Sequence, residues 1–198
     1  MTSFKENSML NILNRKYDHG VAEFLLSNNS RILDYGCGDC RFFDRVKGKF
    51  NNLKLVGYDI NNSGINIARK KGYKVYSSLD KIKGKFNYVI ANRVIECLDL
   101  QQAFYLFKQS GRLLNKDGRL LLSALNTNEF FNIRNFWNDL EHVRLYPIIA
   151  LEDLAKQNNF KLVEVYKYGS RTNPFKLITN LFLGMSSYTG LTLVFEKA

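Results

Sequence analysis

Short apolar runs alternate with amphipathic stretches over the first two thirds of the chain. RILDY (31–35), LKLVGY (53–58), YKVY (73–76), FNYVIA (86–91) and GRLLLSA (118–124) each have the length of a buried strand. Helices fit between them at 40–47, 63–71 and 99–114, and in the last Leu100, Ala103, Phe104, Phe107 and Leu114 recur near helical spacing. Strands alternating with helices predict parallel pairing through right-handed crossovers, with helices on both faces. After residue 125 the alternation lapses into an aromatic, polar stretch without a clean period. A helix near 150–158 and strands at 160–168 and 190–197 follow, the last two read as an antiparallel pair.

The pattern predicts an α/β fold: a Rossmann-like, doubly wound, mostly parallel seven-stranded sheet with an antiparallel last strand. One domain over 1–198 is the simplest division, with a helical N-terminal segment at 1–29 and insertions at 126–148 and 171–188. Open sheets of this kind bind ligands at the carboxyl ends of their strands.

Composition changes this picture little. MTSFKENSML lacks the apolar core of a secretion signal, and no stretch reaches the roughly 18 apolar residues of a membrane span. Three cysteines, Cys37, Cys40 and Cys97, make no disulfide framework, so a reduced, cytoplasmic protein is expected. Cys37 and Cys40 form a C-x-x-C, but no second Cys or His pair stands at ligand spacing, and no metal site is expected. The net charge of +11 points to nucleic acid, anionic lipid, an acidic substrate or simply a lysine-rich surface. The charges are scattered along the chain in short clusters such as Arg69-Lys70-Lys71, which favours the surface reading.

The first strand carries the chemistry. RILDYGCGDC ends in an acid, Asp34, followed by Gly36, Gly38 and a second acid, Asp39. A dinucleotide turn would place a third glycine where Arg41 stands, and Asp34 would crowd a diphosphate. A ligand without phosphate, carrying an ammonium and a sulfonium, suits these carboxylates better; S-adenosylmethionine is such a molecule. Glycines at 36 and 38 let the backbone approach it closely.

Asp34-Tyr35-Gly36-Cys37-Gly38-Asp39-Cys40 resembles motif I of the class I S-adenosylmethionine-dependent methyltransferases, roughly D-x-G-x-G-x-G, with Cys40 for the last glycine. VGYDI places Asp59 21 residues after Gly38, where the family's second-strand acid holds the ribose hydroxyls. The resemblance implies that Asp34, Gly36, Cys37, Gly38, Asp59, Ile60, Ser78, Leu79 and Asn92 line the site for S-adenosylmethionine and its product S-adenosylhomocysteine. Ile60 would pack on the adenine face, Ser78 and Leu79 would border its edge, and Asn92 would lie along the methionine portion. FNYVIANRVIECLD resembles the family's fourth strand, with Asn87 and Cys97 replacing its Asp and His.

FWNDLEHVRLYP (136–147) resembles a segment of methyltransferases of bacterial polysaccharide and lipid-linked glycan assembly. The expected activity is O-methylation of a sugar, glycan or glycolipid precursor. Trp137 would stack on a sugar ring, Asp139 would accept from hydroxyls, Arg144 would hold a phosphate or uronate, and Tyr146 completes the acceptor set. His142 has the right pKa class for a general base, or else orients the loop, and Glu96 is the second candidate. A quinone-type or other small aromatic acceptor is the alternative; an RNA- or ribosome-directed enzyme is less favoured, because ANRVIE lacks an N-P-P-like motif. The apolar stretch 174–186 is expected to pack internally, against a second subunit, or on the inner face of a membrane, with Lys176 meeting anionic head groups.

Overall fold

The computed structural model describes residues 22–129, 132–133, 136–170 and 188–198. Its strands are β1 (Arg31–Tyr35), β2 (Lys54–Tyr58), β3 (Val75–Tyr76), β4 (Phe86–Asn92), β5 (Leu114–Leu125), β6 (Phe160–Ser170) and β7 (Tyr188–Lys197). They form one seven-stranded sheet in the order β3-β2-β1-β4-β5-β7-β6. The first five pair in parallel, and β7 runs antiparallel to both β5 and β6. This is the doubly wound architecture that the alternation predicts.

Two expectations shift in detail. β5 begins at Leu114 rather than 118, because Leu114 pairs with Phe86 before an irregularity that ends at Arg119 opposite Tyr88. Gly118 makes this possible, since a Cβ there would lie 2.9 Å from the Phe86 carbonyl. The third strand shrinks to Val75 and Tyr76, at the edge of the sheet.

The helices are α1 (Arg41–Val46), α2 (Asn62–Lys70), α3 (Leu100–Leu113) and α4 (Ile148–Gln157). Asp99 and Gln102 form a capping box that fixes where α3 starts. Its buried stripe is Ala103, Leu106, Phe107, Ser110 and Leu113, whereas Leu100 and Phe104 remain 49% and 37% exposed. The expected stripe is therefore rotated: Phe107 and Ala103 are core, and the partners at helical spacing are Leu106 and Ser110.

Both faces of the sheet are covered. On one, Phe107 of α3 meets Phe160 and Phe195 edge-on, with Leu33, Val89, Leu120 and Leu154 around them. On the other, Phe42 and Phe43 of α1 and Ile65 and Ala68 of α2 pack on Ile32, Ile90, Leu121 and Val194. Burial on both faces explains why the strands read as continuous apolar runs. Of the N-terminal segment 1–29 only residues from 22 are described, with a 3-10 turn at Ala22–Leu25. The segment 174–186 lies outside the described residues. Among the described residues no helix is long and apolar enough to cross a membrane.

Candidate active site at the carboxyl edge of the sheet

From β1 the chain winds outward through β2 and β3, then returns to place β4 on the other side of β1. The loops after β1 and β4 thus diverge at the switch point where open sheets bind ligands. Gly36 takes φ +78°, and a Cβ there would come 2.4 Å from Val94 Cγ2 in the turn after β4. Gly38 takes φ +50°, and an added Cβ would meet nothing within 4 Å, so its outer side is open. Only glycine holds such backbone at no steric cost.

The amides of this turn explain its carboxylates. The N–H groups of Gly36 and Cys37 donate to the Tyr58 carbonyl at 2.7 and 3.0 Å. Gly38 N–H donates to Asp59 Oδ2 at 2.7 Å, and Cys40 N–H to the Cys37 carbonyl at 2.8 Å. A phosphate cradle needs free N–H groups, and these are committed internally. The turn offers shape and negative charge instead.

Asp59 sits at the end of β2, where its Oδ1 also accepts from Asn61 N–H at 2.7 Å. Each oxygen keeps a further lone pair, enough for a pair of ribose hydroxyls. Gly64 of α2 lets the turn settle, since a Cβ there would lie 2.9 Å from the Gly38 backbone. Asp34 is 3% exposed, and among the described residues no hydrogen bond or ion pair holds its carboxylate. Burial pushes its pKa up to about 7, with Arg45 pulling it down and the Asp59 charge adding to the rise. The two aspartates, at the ends of neighbouring strands, therefore stand near enough for the charge of one to act on the other.

The other donor-side residues divide. Ile60 is 75% exposed beside Asp59, available to a flat ring. Ser78 is half-buried with a free hydroxyl among the described residues. Leu79 instead belongs to the core, and its carbonyl accepts from Arg112 Nη2 at 3.1 Å. Cys37 borders the crevice through its backbone alone: its sulfur is buried so close to Gly57 that a Cβ there would meet it at 2.6 Å. A hydrogen bond with Cys40, then burial, push its thiol pKa far up. Among the described residues no group of three or more His, Cys, Asp or Glu gathers to hold a metal.

At the end of β4 and in the turn after it, two buried oxygens lack partners among the described residues: Asn92 Oδ1 and Glu96 Oε2. Glu96 is 2% exposed. Its Oε1 accepts from Leu125 N–H and lies 3.1 Å from Arg93 Nη1. Its own carbonyl takes the N–H groups of Val143 and Arg144 at 2.7 and 3.0 Å, which pins the 126–148 insertion to the turn after β4. Arg93 reaches this position through a left-handed backbone, φ +59°, with its N–H on the Ser123 carbonyl.

The insertion gathers the remaining candidates but commits two of them to holding it. His142 stacks on Phe136 at 4.9 Å, and its Nδ1 stands 3.1 Å from the Phe136 carbonyl, which makes Nδ1 the donor. Its Nε2 faces Asp139 Oδ2 at 3.7 Å. Tyr146 is buried, donating its hydroxyl to the Leu98 carbonyl at 2.8 Å, with the Arg144 guanidinium over its ring. Trp137 is 74% exposed and edge-on to Phe136. Asp139 and Arg144 are exposed. Val94, Arg93, Gly64 and the Leu125 amide are the contributors that motif reading passes over; of these only Gly64 leaves a mark in the sequence.

A winding order that reverses beside β1, a glycine turn with its amides withdrawn, and acids at two neighbouring strand ends define the class I methyltransferase domain, whose methyl donor is S-adenosylmethionine. A family model described as a methyltransferase domain matches residues 9–165, and the chain belongs to that family. It is similar to the malonyl-[acyl-carrier protein] O-methyltransferases of Hahella chejuensis, 27% identical over 136 residues, and of Legionella pneumophila, 29% over 125. Those alignments take in 63% and 57% of this chain but only 47% and 43% of the relatives, so the chain spans less than half their length. In structure it resembles a SAM-dependent methyltransferase from Archaeoglobus fulgidus, with a TM-score of 0.72, 16% identity and 89% of each chain covered. It also resembles the magnesium protoporphyrin IX methyltransferase of Synechocystis with bound SAM, with a TM-score of 0.59, 15% identity and coverage of 89% and 74%.

Proposed function

We propose that the domain methylates a hydroxyl oxygen of a small molecule or glycan, with Glu96 as the group that receives the hydroxyl proton. S-adenosylmethionine, when bound, supplies a methyl group on a positively charged sulfur. The residues present fit it: Gly38 opens on free space, Asp59 keeps lone pairs for ribose hydroxyls, and Asp34 offers an unpaired carboxylate to positive charge. Asn92 Oδ1, at the end of β4, lacks a donor that the ammonium could provide.

The observation that carries the acceptor assignment is the unpartnered Oε2 of Glu96. Leaving a buried carboxylate oxygen unsatisfied costs on the order of 1–3 kcal/mol or more, and an incoming O–H relieves that cost. With Oε1 taken by Leu125 and Arg93, Oε2 is the oxygen left to receive a proton. We assign this role to Glu96 rather than His142, because the His142 ring is stacked on Phe136 with Nδ1 bonded to the Phe136 carbonyl, whereas Glu96 Oε2 is buried and unpartnered. Trp137, Asp139 and Arg144, exposed on the pinned insertion, are the contacts for a polar ring such as a sugar.

The malonyl-[acyl-carrier protein] relatives favour a second reading, in which the accepting oxygen belongs to a carboxylate. An ionised carboxylate brings no proton to Glu96 and is repelled by it, so the hydroxyl is preferred. A screen with methyl-labelled donor separates the two, offering nucleotide sugars, glycan fragments, quinone precursors and malonyl thioesters. Transfer to hydroxyl compounds that collapses in Glu96→Gln supports the proposal. Transfer confined to the thioester carboxylate, undisturbed by that substitution, overturns it.

A further inference from the structure

Every strand of the sheet carries a cation at its foot, the edge opposite the glycine turn. From one side, β3, β2, β1 and β4 are entered through Lys74, Lys54, Arg31 and Lys85. Across the rest, β5 bears Lys116, β7 ends at Lys197 and β6 opens with Lys161. The antiparallel run of β7 is what brings the last residues of the chain to this edge, with Lys197 opposite Phe160.

These charges are not neutralised. Among the described residues none of the seven stands within ion-pair distance of a carboxylate. Those that bond do so to backbone carbonyls: Arg31 to Lys83 at 2.6 Å, Lys85 to Arg112 at 2.6 Å and Lys197 to Leu114 at 2.8 Å. Such bonds hold the side chains in place while leaving their charge intact. Burial and the neighbouring Lys85 both pull the Lys197 pKa down, as crowded cations do. The acids nearby are largely occupied, Glu164 and Glu196 by Arg119 and Glu23 by Lys49, leaving Asp80 and Asp117 in flanking turns. Elsewhere some surface lysines do pair, as Lys71 does with Asp44 and Lys156 with Glu152, so what sets this edge apart is one cation on every strand in turn.

The form of the row selects its partner. Neighbouring strands lie about 4.8 Å apart, so the row extends for roughly 30 Å. Each step turns by roughly 20–25°, so its two ends face in very different directions. A planar lipid surface meets only a few members of such a row at once, whereas a flexible polyanion follows it. The Phe86 ring beside the row is buried, with the Arg31 guanidinium 4.6 Å from its centroid, so it offers no face to a base. We propose that this edge binds the phosphate backbone of a single-stranded nucleic acid, through charge and without reading its sequence. The site is independent of the methyl-transfer assignment and lies at the opposite edge of the sheet, so the bound strand is a partner and not the methyl acceptor.

Fluorescence anisotropy of the full chain with a labelled oligouridylate, over a range of potassium chloride concentrations, tests this. Each phosphate neutralised adds about −0.7 to the slope of log affinity against log salt, so engagement of most of the row gives a slope near −4. The triple variant Lys54→Glu, Lys85→Glu, Lys116→Glu should lose at least tenfold in affinity while binding S-adenosylmethionine as before. The same three positions changed to Gln provide a milder variant, expected to weaken binding and flatten the slope, in case charge reversal impairs folding. Equal affinity in the Gln variant and the parent, a slope shallower than about −2, or tighter binding to phosphatidylserine vesicles than to the oligonucleotide would each overturn the proposal.

Discussion

The donor side and the acceptor side of the crevice are built differently. On the donor side, backbone amides of the glycine turn are locked to Tyr58 and Asp59, and Gly36 is pressed by Val94. Shape there is set by backbone, and a substitution must break a turn to change it. On the acceptor side the contacts are exposed side chains on an insertion tied down by a few bonds, chiefly to the Glu96 and Leu98 carbonyls and to the start of β7. A site that reads one invariant ligand gains from rigid backbone, and one that must suit a particular acceptor is built on a loop whose residues can vary.

If that contrast holds, damage on one side should leave the other's ligand alone. The largest effect is expected from Glu96→Gln, which keeps the shape but removes the proton acceptor; turnover should fall by about 10²–10⁴ with donor affinity, measured by calorimetry, little changed. Asp59→Ala should act in the opposite sense. It frees two backbone donors and deletes the ribose contact proposed for it, at about 1.5–3 kcal/mol for each charged hydrogen bond, so donor affinity should drop about a hundredfold.

Asp34 gives a pH signature. Its folded-state pKa, raised to about 7, means that ionising it costs more in the folded chain than in the unfolded one. That cost is absent at pH 4 or below, grows between about 4 and 7, and then levels. Positive charge beside it favours the ionised form, so donor affinity should climb with pH up to about 7 and then flatten. Asp34→Asn should bind donor weakly with no such climb. The smallest effect belongs to Trp137→Ala: being 74% exposed, it should change stability by less than about 0.5 kcal/mol and donor affinity not at all, raising only the KM for the acceptor.

The legibility of the molecule follows the same division. Five parallel strands were readable because burial on both faces makes each a short apolar run, and Asp34 and Asp59 because an acid at a strand's end interrupts such a run. On α3 the buried stripe is rotated from the expected one, since Leu100 and Phe104 are apolar yet exposed. The hydrogen bonds of Tyr146 and His142 to the Leu98 and Phe136 carbonyls leave no trace in residue order. The basic row was hidden for a related reason: its members are far apart in the chain, and strand pairing alone assembles them.

Val94 and Glu96 stand two residues apart in the turn after β4. One braces Gly36, and the other carries the insertion. The two substrates therefore share a single hinge of protein, and filling either half stiffens the support of the other. Their binding should be cooperative, and thermodynamic reciprocity requires S-adenosylhomocysteine to tighten the acceptor by the same factor as the acceptor tightens S-adenosylhomocysteine. Two calorimetric titrations in opposite order measure that factor, and Val94→Ala should bring it toward one.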